Sequence, residues 1–183
     1  MLGSRQSNSP LEIFERAFLD KPQKARHSSA SPFKHRMPVQ KSLLRQFPFF
    51  EPLSPADFTR VARVATRRTI PAHKIVFHEG EIGGTFFMIV SGTVEIYTGT
   101  TPNEQSLNLL QAGSWFGELS LIDNQPRSAS ARTLKPCVLL ALPKQEFMWL
   151  VSTYPLSLFI IVATIQNTLR DRDRAFRADA ELQ

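Results

Sequence analysis

The chain has 183 residues, 42% of them hydrophobic, and carries 22 Lys/Arg against 16 Asp/Glu, enough for one domain with a packed core plus an extension. The longest apolar run, LFIIVA at 158–163, falls far short of the roughly 20 residues of a transmembrane helix. MLGSRQSNSP lacks an apolar signal core and the lone Cys137 excludes an internal disulfide, so a cytoplasmic protein is expected.

Residues 1–40 read as a flexible basic arm. SNSP and KPQKARHSSASPFKHRMP are rich in Ser, Pro, Lys, Arg and His and hold no apolar period. Residues 1–45 contain nine Lys/Arg and three acids, which accounts for the whole net charge of +6; the rest of the chain is balanced. The basicity belongs to the arm, so nucleic-acid binding is not expected of the domain itself. One island, SPLEIFERAFLD, predicts a short amphipathic helix near 10–19. Ser9 can cap it, Pro10 suits its first turn, Glu12 completes a capping-box spacing, and Leu11, Phe14 and Phe18 share a face. A helix that short needs a surface to dock on.

From residue 41 the pattern turns helical. Pro48 breaks KSLLRQFPFFEPL into a short helix and a tight turn; Ser54 caps and Pro55 opens a second helix that runs to about Thr66. Beyond Ile70 come short strand-like runs divided by Gly-containing turns: KIVFHEG, TFFMIVSG, TVEIYTG, SLNLLQAG, SASARTL and VLLALP. Such spacing predicts antiparallel sheets folded as a roll or sandwich, with Cys137 as a buried strand residue. After Pro143, KQEFMWLVSTYP predicts a helix, and a long last segment follows from about Pro155. Along it Leu158, Val162, Ile165, Leu169, Arg172 and Phe176 fall on a single helical seam.

The chemistry concentrates at 116–130, FGELSLIDNQPRSAS. Gly113 and Gly117 bracket Ser114–Phe116 and allow a tight passage from a strand into a short helix, whose first N–H groups favour an anion. Glu118, in the first turn, is placed to accept hydrogen bonds from vicinal or ribose hydroxyls. Arg127 supplies a planar fork for two phosphate oxygens, and Pro126 restrains the backbone before it. Ser128 adds a hydroxyl, and Ala129 is small enough for a ligand to lie against the main chain. Together these groups describe a site for a nucleotide-sized anion. The competing reading is a surface ion pair between Glu118 and Arg127 worth roughly 0–1 kcal/mol, which leaves the small flanking residues without a reason.

F-G-E-L-S-L-x-x-x-x-P-R-S-A-S resembles the phosphate-binding cassette of the cyclic nucleotide-binding domain family, which includes catabolite activator-type regulators, protein kinase regulatory subunits and cyclic-nucleotide-gated channels. The resemblance runs from about residue 42 to about 176. It takes in FPFFEPLSPADF, the stretch HEGEIGGTFFMIVSGTVEIY with Gly80, Gly83 and Gly92, and the long final helix. It implies a mainly β, α+β fold at 41–178: a jelly-roll-like antiparallel β-roll with N-terminal helices, a short cassette helix and a long C-terminal lid helix, ahead of a tail at 179–183. It also implies that Glu118 binds the ribose 2′-hydroxyl and Arg127 neutralises the exocyclic phosphate. Gly117, Leu119, Ser120, Ser128 and Ala129 would complete the phosphate cradle. Two departures bear on loop detail: Gly84 stands where many members have an acidic residue, and Ala72-His73 replaces a common glycine. In this family the last helix closes over the purine, which makes Arg172, Asp173 and Phe176 candidates for base contact. Asp173 and Ser128 suit guanine without excluding cAMP.

Other chemistry is not expected. His73 and His78, five residues apart on an extended segment, point to opposite faces, and no third ligand follows, so neither a metal nor a cofactor is anticipated beyond the ligand, cAMP or cGMP. Trp115 and Trp149 read as packing residues. With no nucleophile–base pairing, metal motif or P-loop, the reading is a non-enzymatic cyclic nucleotide sensor that shifts between two conformations and signals to a separate effector protein. A homodimer along the 158–176 seam is part of that expectation. The alternatives are a ligand-free interaction scaffold with the same fold, or an adaptor to an acidic surface through the basic arm.

Overall fold

A computed structural model describes residues 37–163. The arm with its helix near 10–19, and the last segment beyond Ala163 with Arg172, Asp173 and Phe176, lie outside the described residues. Among the described residues nine strands form two sheets. They are β1 (Met37–Pro38), β2 (Thr66–Ile70), β3 (Ile75–Phe77), β4 (Thr85–Ser91), β5 (Thr93–Thr98), β6 (Gln105–Gln111), β7 (Trp115–Phe116), β8 (Ser130–Thr133) and β9 (Cys137–Pro143). One sheet has the order β1-β2-β9-β4-β7 and the other β3-β8-β5-β6, with every pairing antiparallel. Helices α1 (Lys41–Leu44), α2 (Pro55–Val64), α3 (Leu119–Ile122), α4 (Lys144–Thr153) and α5 (Pro155–Ala163), with a 3₁₀ turn at Pro48–Phe50, complete the described part. This is the antiparallel β-roll with flanking helices that the strand spacing and the cassette predict.

The layering follows from two strands. TFFMIVS in β4 and CVLLALP in β9 are near-continuous apolar runs, as a strand covered on both faces requires. They pair at the middle of the larger sheet, with Phe87 opposite Ala141 and Met88 opposite Leu140. Alternation then sorts their side chains. Phe86, Met88, Leu140 and Leu142 enter a core with Phe47, Phe49, Val61, Phe147 and Leu150 of the helical side, while Phe87, Ile89, Leu139 and Ala141 meet Phe77, Val94, Phe116 and Ala131 between the sheets. Phe86 packs between Phe49 at 5.6 Å and Phe147 at 4.7 Å, and Trp115 lies edge-on to Phe49 at 4.9 Å, a packing role as predicted. Cys137 is buried in β9.

Ser54 caps α2 as its sequence demands, its Oγ accepting from the Asp57 N–H at 3.2 Å with Pro55 in the first position. The helix stops at Val64, short of Thr66, and TRRTI at 66–70 is a strand paired along its whole length with β9 despite its two arginines. Trp149 does more than pack: the Arg60 guanidinium lies 3.9 Å over its ring. His73 is not extended. It sits in a turn at φ 56°, a left-handed conformation that glycine adopts at no steric cost, where the family commonly has one. Of the predicted seam, Leu158 packs against the core while Val162 is exposed, so these two do not share one environment.

Candidate functional site

The cassette residues lie where β7 ends, α3 begins and the chain returns toward β8. Gly117 joins β7 to α3 at φ +83°, and a Cβ there would stand 2.6 Å from Arg127 Nη1. Gly83 in the loop before β4 meets the cassette from the other side, since a Cβ would collide with Ser120 Oγ and stand 3.3 Å from Arg127 Cζ. Both glycines are therefore required by close approach. The backbone of Arg127 is clamped as well. Its N–H donates to Glu81 O at 2.8 Å, its carbonyl accepts from the Gly80 N–H at 2.9 Å, and Pro126 bridges to Ile82.

Inside that clamp Arg127 is 5% exposed. Nη1 donates to Gly117 O at 2.5 Å and to Ser120 Oγ at 2.8 Å, and Nη2 donates to Thr85 O at 2.6 Å. The Phe77 ring lies 4.1 Å beneath the guanidinium. Three of the five guanidinium N–H groups are thereby engaged. Burial pulls the Arg127 pKa below its ordinary value, against the opposing fields of Glu118 and Glu81.

Glu118 stands just ahead of α3, at its N-cap, and is 8% exposed. Its Oε2 is buried without a hydrogen-bond partner. Burial pushes its carboxyl above the usual carboxylate range, while its own backbone N–H and the charge of Arg127 pull the other way. The ion pairs among the described residues are Arg60–Glu146, Arg132–Glu95 and Arg132–Glu104; Glu118 and Arg127 do not form one. The surface salt bridge is thus excluded on both counts, burial and contact. This leaves a carboxylate and a guanidinium, both in the interior, each in the field of the other and neither neutralised by it. Such a pair can accept a hydroxyl at one end and hold an anion at the other.

The remaining predicted positions separate. Gly117, Glu118, Ser120 and Arg127 come together, with Ser120 buried and holding the guanidinium, and Ala129 is buried beside them in sequence. Leu119 is exposed, as is Ser128. Three contributors escaped the sequence reading. Thr85 acts through its carbonyl and carries no side-chain signal. Phe77 looks like any strand residue. Gly83 was visible only as a glycine of the HEGEIGG run. No cluster of three His, Cys, Asp or Glu suited to a metal occurs among the described residues.

Residues 67–154 match the family model of the cyclic nucleotide-binding domain. The cyclic AMP receptor protein of Thermus thermophilus is 33% identical over 127 residues, 69% of this chain and 59% of that protein. A cAMP-dependent protein kinase regulatory subunit of Mycosarcoma maydis is 33% identical over 95 residues, 52% of this chain and 18% of the relative. Among solved structures, the catabolite activator protein of Thermus thermophilus aligns with a TM-score of 0.58 at 30% identity, covering 73% of this chain and 63% of its own. The chain spans less than two thirds of each of these relatives.

Proposed function

We propose that this protein, whose residues 67–154 match the family model of the cyclic nucleotide-binding domain, is a sensor of cAMP or cGMP that signals to a separate effector. Glu118 accepts the ribose 2′-hydroxyl at its unpartnered Oε2. Arg127 offers its two uncommitted N–H groups to the cyclic phosphate, and the Ser128 hydroxyl joins them. Gly117 and Ala129 leave room for the ligand, and Leu119 and Ser120 contribute the N–H groups at the start of α3, which have no intrahelical acceptor. In this reading residues 41–178 are the sensing domain, 1–40 an arm and 179–183 a tail. The protein is a non-enzymatic cytoplasmic regulator, and the output is a population shift set by the ligand's differential affinity for two states.

One observation carries the proposal: two opposite charges, buried at 8% and 5% exposure, that do not pair with each other. The test is isothermal titration calorimetry of cAMP and of cGMP against the wild type and Arg127→Ala. Saturable heat with one nucleotide, abolished in the variant, is the expected result. No heat with either at millimolar concentration would overturn the sensor reading. A second reading, a ligand-free interaction module of the same fold, draws on one specific feature, the three internal acceptors already taken by Arg127. The same titration decides between them.

A further inference from the structure

The segment after α4 leaves the domain at a sharp bend: α4 and α5 are inclined at 108°. Pro155 has no N–H to continue α4, and Tyr154 between the helices adopts φ −123°, ψ 83°. Those two features interrupt the helix without fixing the direction of α5. Leu158, Ile160 and the fully buried Ile161 pack α5 against the helical-side core, and a set of hydrogen bonds holds the residue just before it. The Tyr154 hydroxyl donates to Asp57 Oδ2 at 2.5 Å and accepts from the Ser54 N–H at 3.2 Å, residues about a hundred positions earlier in the chain. Ser54 is the N-cap of α2, and its Oγ donates to the same Asp57 oxygen at 2.8 Å. The tyrosine is therefore built into the cap of α2. Both hydroxyls hold the Asp57 carboxyl below its ordinary range, which keeps the acceptor ionised.

A second contact binds the same two helices. Arg60 Nε and Nη2 donate to Glu146 at 3.1 and 3.4 Å, and its guanidinium covers Trp149, whose ring meets that of Tyr154 edge-on at 6.2 Å. The opposite end of α4 touches the candidate site. The Lys144 N–H donates to Gly84 O at 3.0 Å and Lys144 Nζ to Asn124 Oδ1 at 2.6 Å. Gly84 adjoins Thr85, whose carbonyl holds Arg127, and Asn124 lies in the loop between α3 and Arg127. So α4 has the cassette at its first residue and the bend at its last.

We propose that Tyr154 is a hinge pin: its hydroxyl, seated in the cap of α2, sets the direction in which α5 leaves the domain and makes α2, α4 and α5 follow the cassette as one unit. The response to the cassette rests on the nucleotide reading above; the pin itself does not. Tyr154 is a positioning residue and touches no ligand.

The test is amide hydrogen exchange of residues 157–163 in the wild type, Tyr154→Phe, Asp57→Asn and the double variant, each with and without saturating cAMP. Tyr154→Phe keeps the ring and loses two hydrogen bonds, the one donated to the charged Asp57 and the one accepted from the Ser54 N–H. Exchange at 157–163 is therefore expected to rise about tenfold, with β4 and β9 unchanged. Asp57→Asn should give the same pattern, and the double variant should add little to either. Cyclic AMP should alter protection at 157–163 in the wild type and not in Tyr154→Phe. Unchanged exchange in both single variants, or a uniform rise that includes β4 and β9, overturns the pin. If the wild type binds no cAMP, the nucleotide reading fails, while the comparison without nucleotide still decides the pin. If it binds and α5 protection does not respond, the coupling to the cassette is refuted.

Discussion

Replacing Gly117 by alanine tests the site geometry without touching a charged residue. Two penalties meet at this position. Gly117 holds φ +83°, which costs a residue with a Cβ about 1–2 kcal/mol. The new Cβ also falls 2.6 Å from Arg127 Nη1 and 3.2 Å from Cζ, so the guanidinium must move. Nη1 makes hydrogen bonds to Gly117 O and Ser120 Oγ, and losing one such charged bond costs about 1.5–3 kcal/mol. Gly80 supplies the control, with φ +81° and nothing within 4 Å of its would-be Cβ. Urea unfolding should therefore show Gly80→Ala destabilised by about 1–2 kcal/mol and Gly117→Ala by about 2.5–5 kcal/mol. Calorimetry should show cAMP binding lost in Gly117→Ala and retained in Gly80→Ala. Equal destabilisation of the two variants would refute the placement of the guanidinium against Gly117.

Two further outcomes concern the carboxylate and the hydroxyl. Burial raises the Glu118 carboxyl in the folded domain, so the folded state binds more protons than the unfolded one between the ordinary carboxylate pKa and the raised value. Stability then falls as pH rises through that window, and Glu118→Gln should remove this slope in thermal melts taken at rising pH above the ordinary carboxylate pKa. At the upper end the variant should be about 1 kcal/mol more stable, while cAMP affinity, which needs the ionised carboxylate, should fall with acidification in the wild type alone. An unchanged pH slope in the variant would remove Glu118 as its origin. Ser128 is exposed, so Ser128→Ala should leave the unfolding free energy within about 0.5 kcal/mol and weaken nucleotide binding about tenfold by calorimetry. Unchanged affinity would take Ser128 out of the contact set.

How far each feature could be read from the sequence depends on whether its cause is local. The cap of α2 is local, Ser54 with Pro55, and was legible. The paired strands β4 and β9 were legible because two-sided burial demands unbroken apolar runs. TRRTI was not legible as β2, because Arg67 and Arg68 suggest a solvated surface. The structure instead places the Arg68 guanidinium 5.7 Å over the Phe87 ring, a contact made possible only by the sheet. The cassette was legible for the same local reason: Glu118, Ser120 and Arg127 share one short stretch with the glycine and proline that orient them. Beyond Gly117 and Ser120, the groups that surround the guanidinium come from β3, β4 and the loop between them. One acts through a carbonyl, one through a ring face and one through the absence of a Cβ. None of these leaves a compositional trace.

The energetics of the two buried charges also separate a binding site from a structural ion pair. A structural pair of the same residues would place the carboxylate on the guanidinium, because leaving either unsatisfied costs the full desolvation of that group. Here three of the five guanidinium N–H groups are held by backbone and serine oxygens, whereas Glu118 Oε2 is buried with no partner at all. Arg67 Nε and Ser157 Oγ are likewise unpartnered, but neither is a carboxylate in the field of a guanidinium that it does not touch. The folded domain therefore carries a desolvation cost at Glu118 that packing alone does not recover. A hydroxyl donor reaching Oε2 would recover it and would gain more than the same bond formed in water. The anion on that donor's own molecule would meet the remaining N–H groups of Arg127. A ligand with only the hydroxyl, or only the phosphate, obtains half of this gain. Adenosine and inorganic phosphate, separately or mixed, should consequently bind far more weakly than cAMP in competition calorimetry, because only the joined molecule secures both ends for one loss of translational freedom.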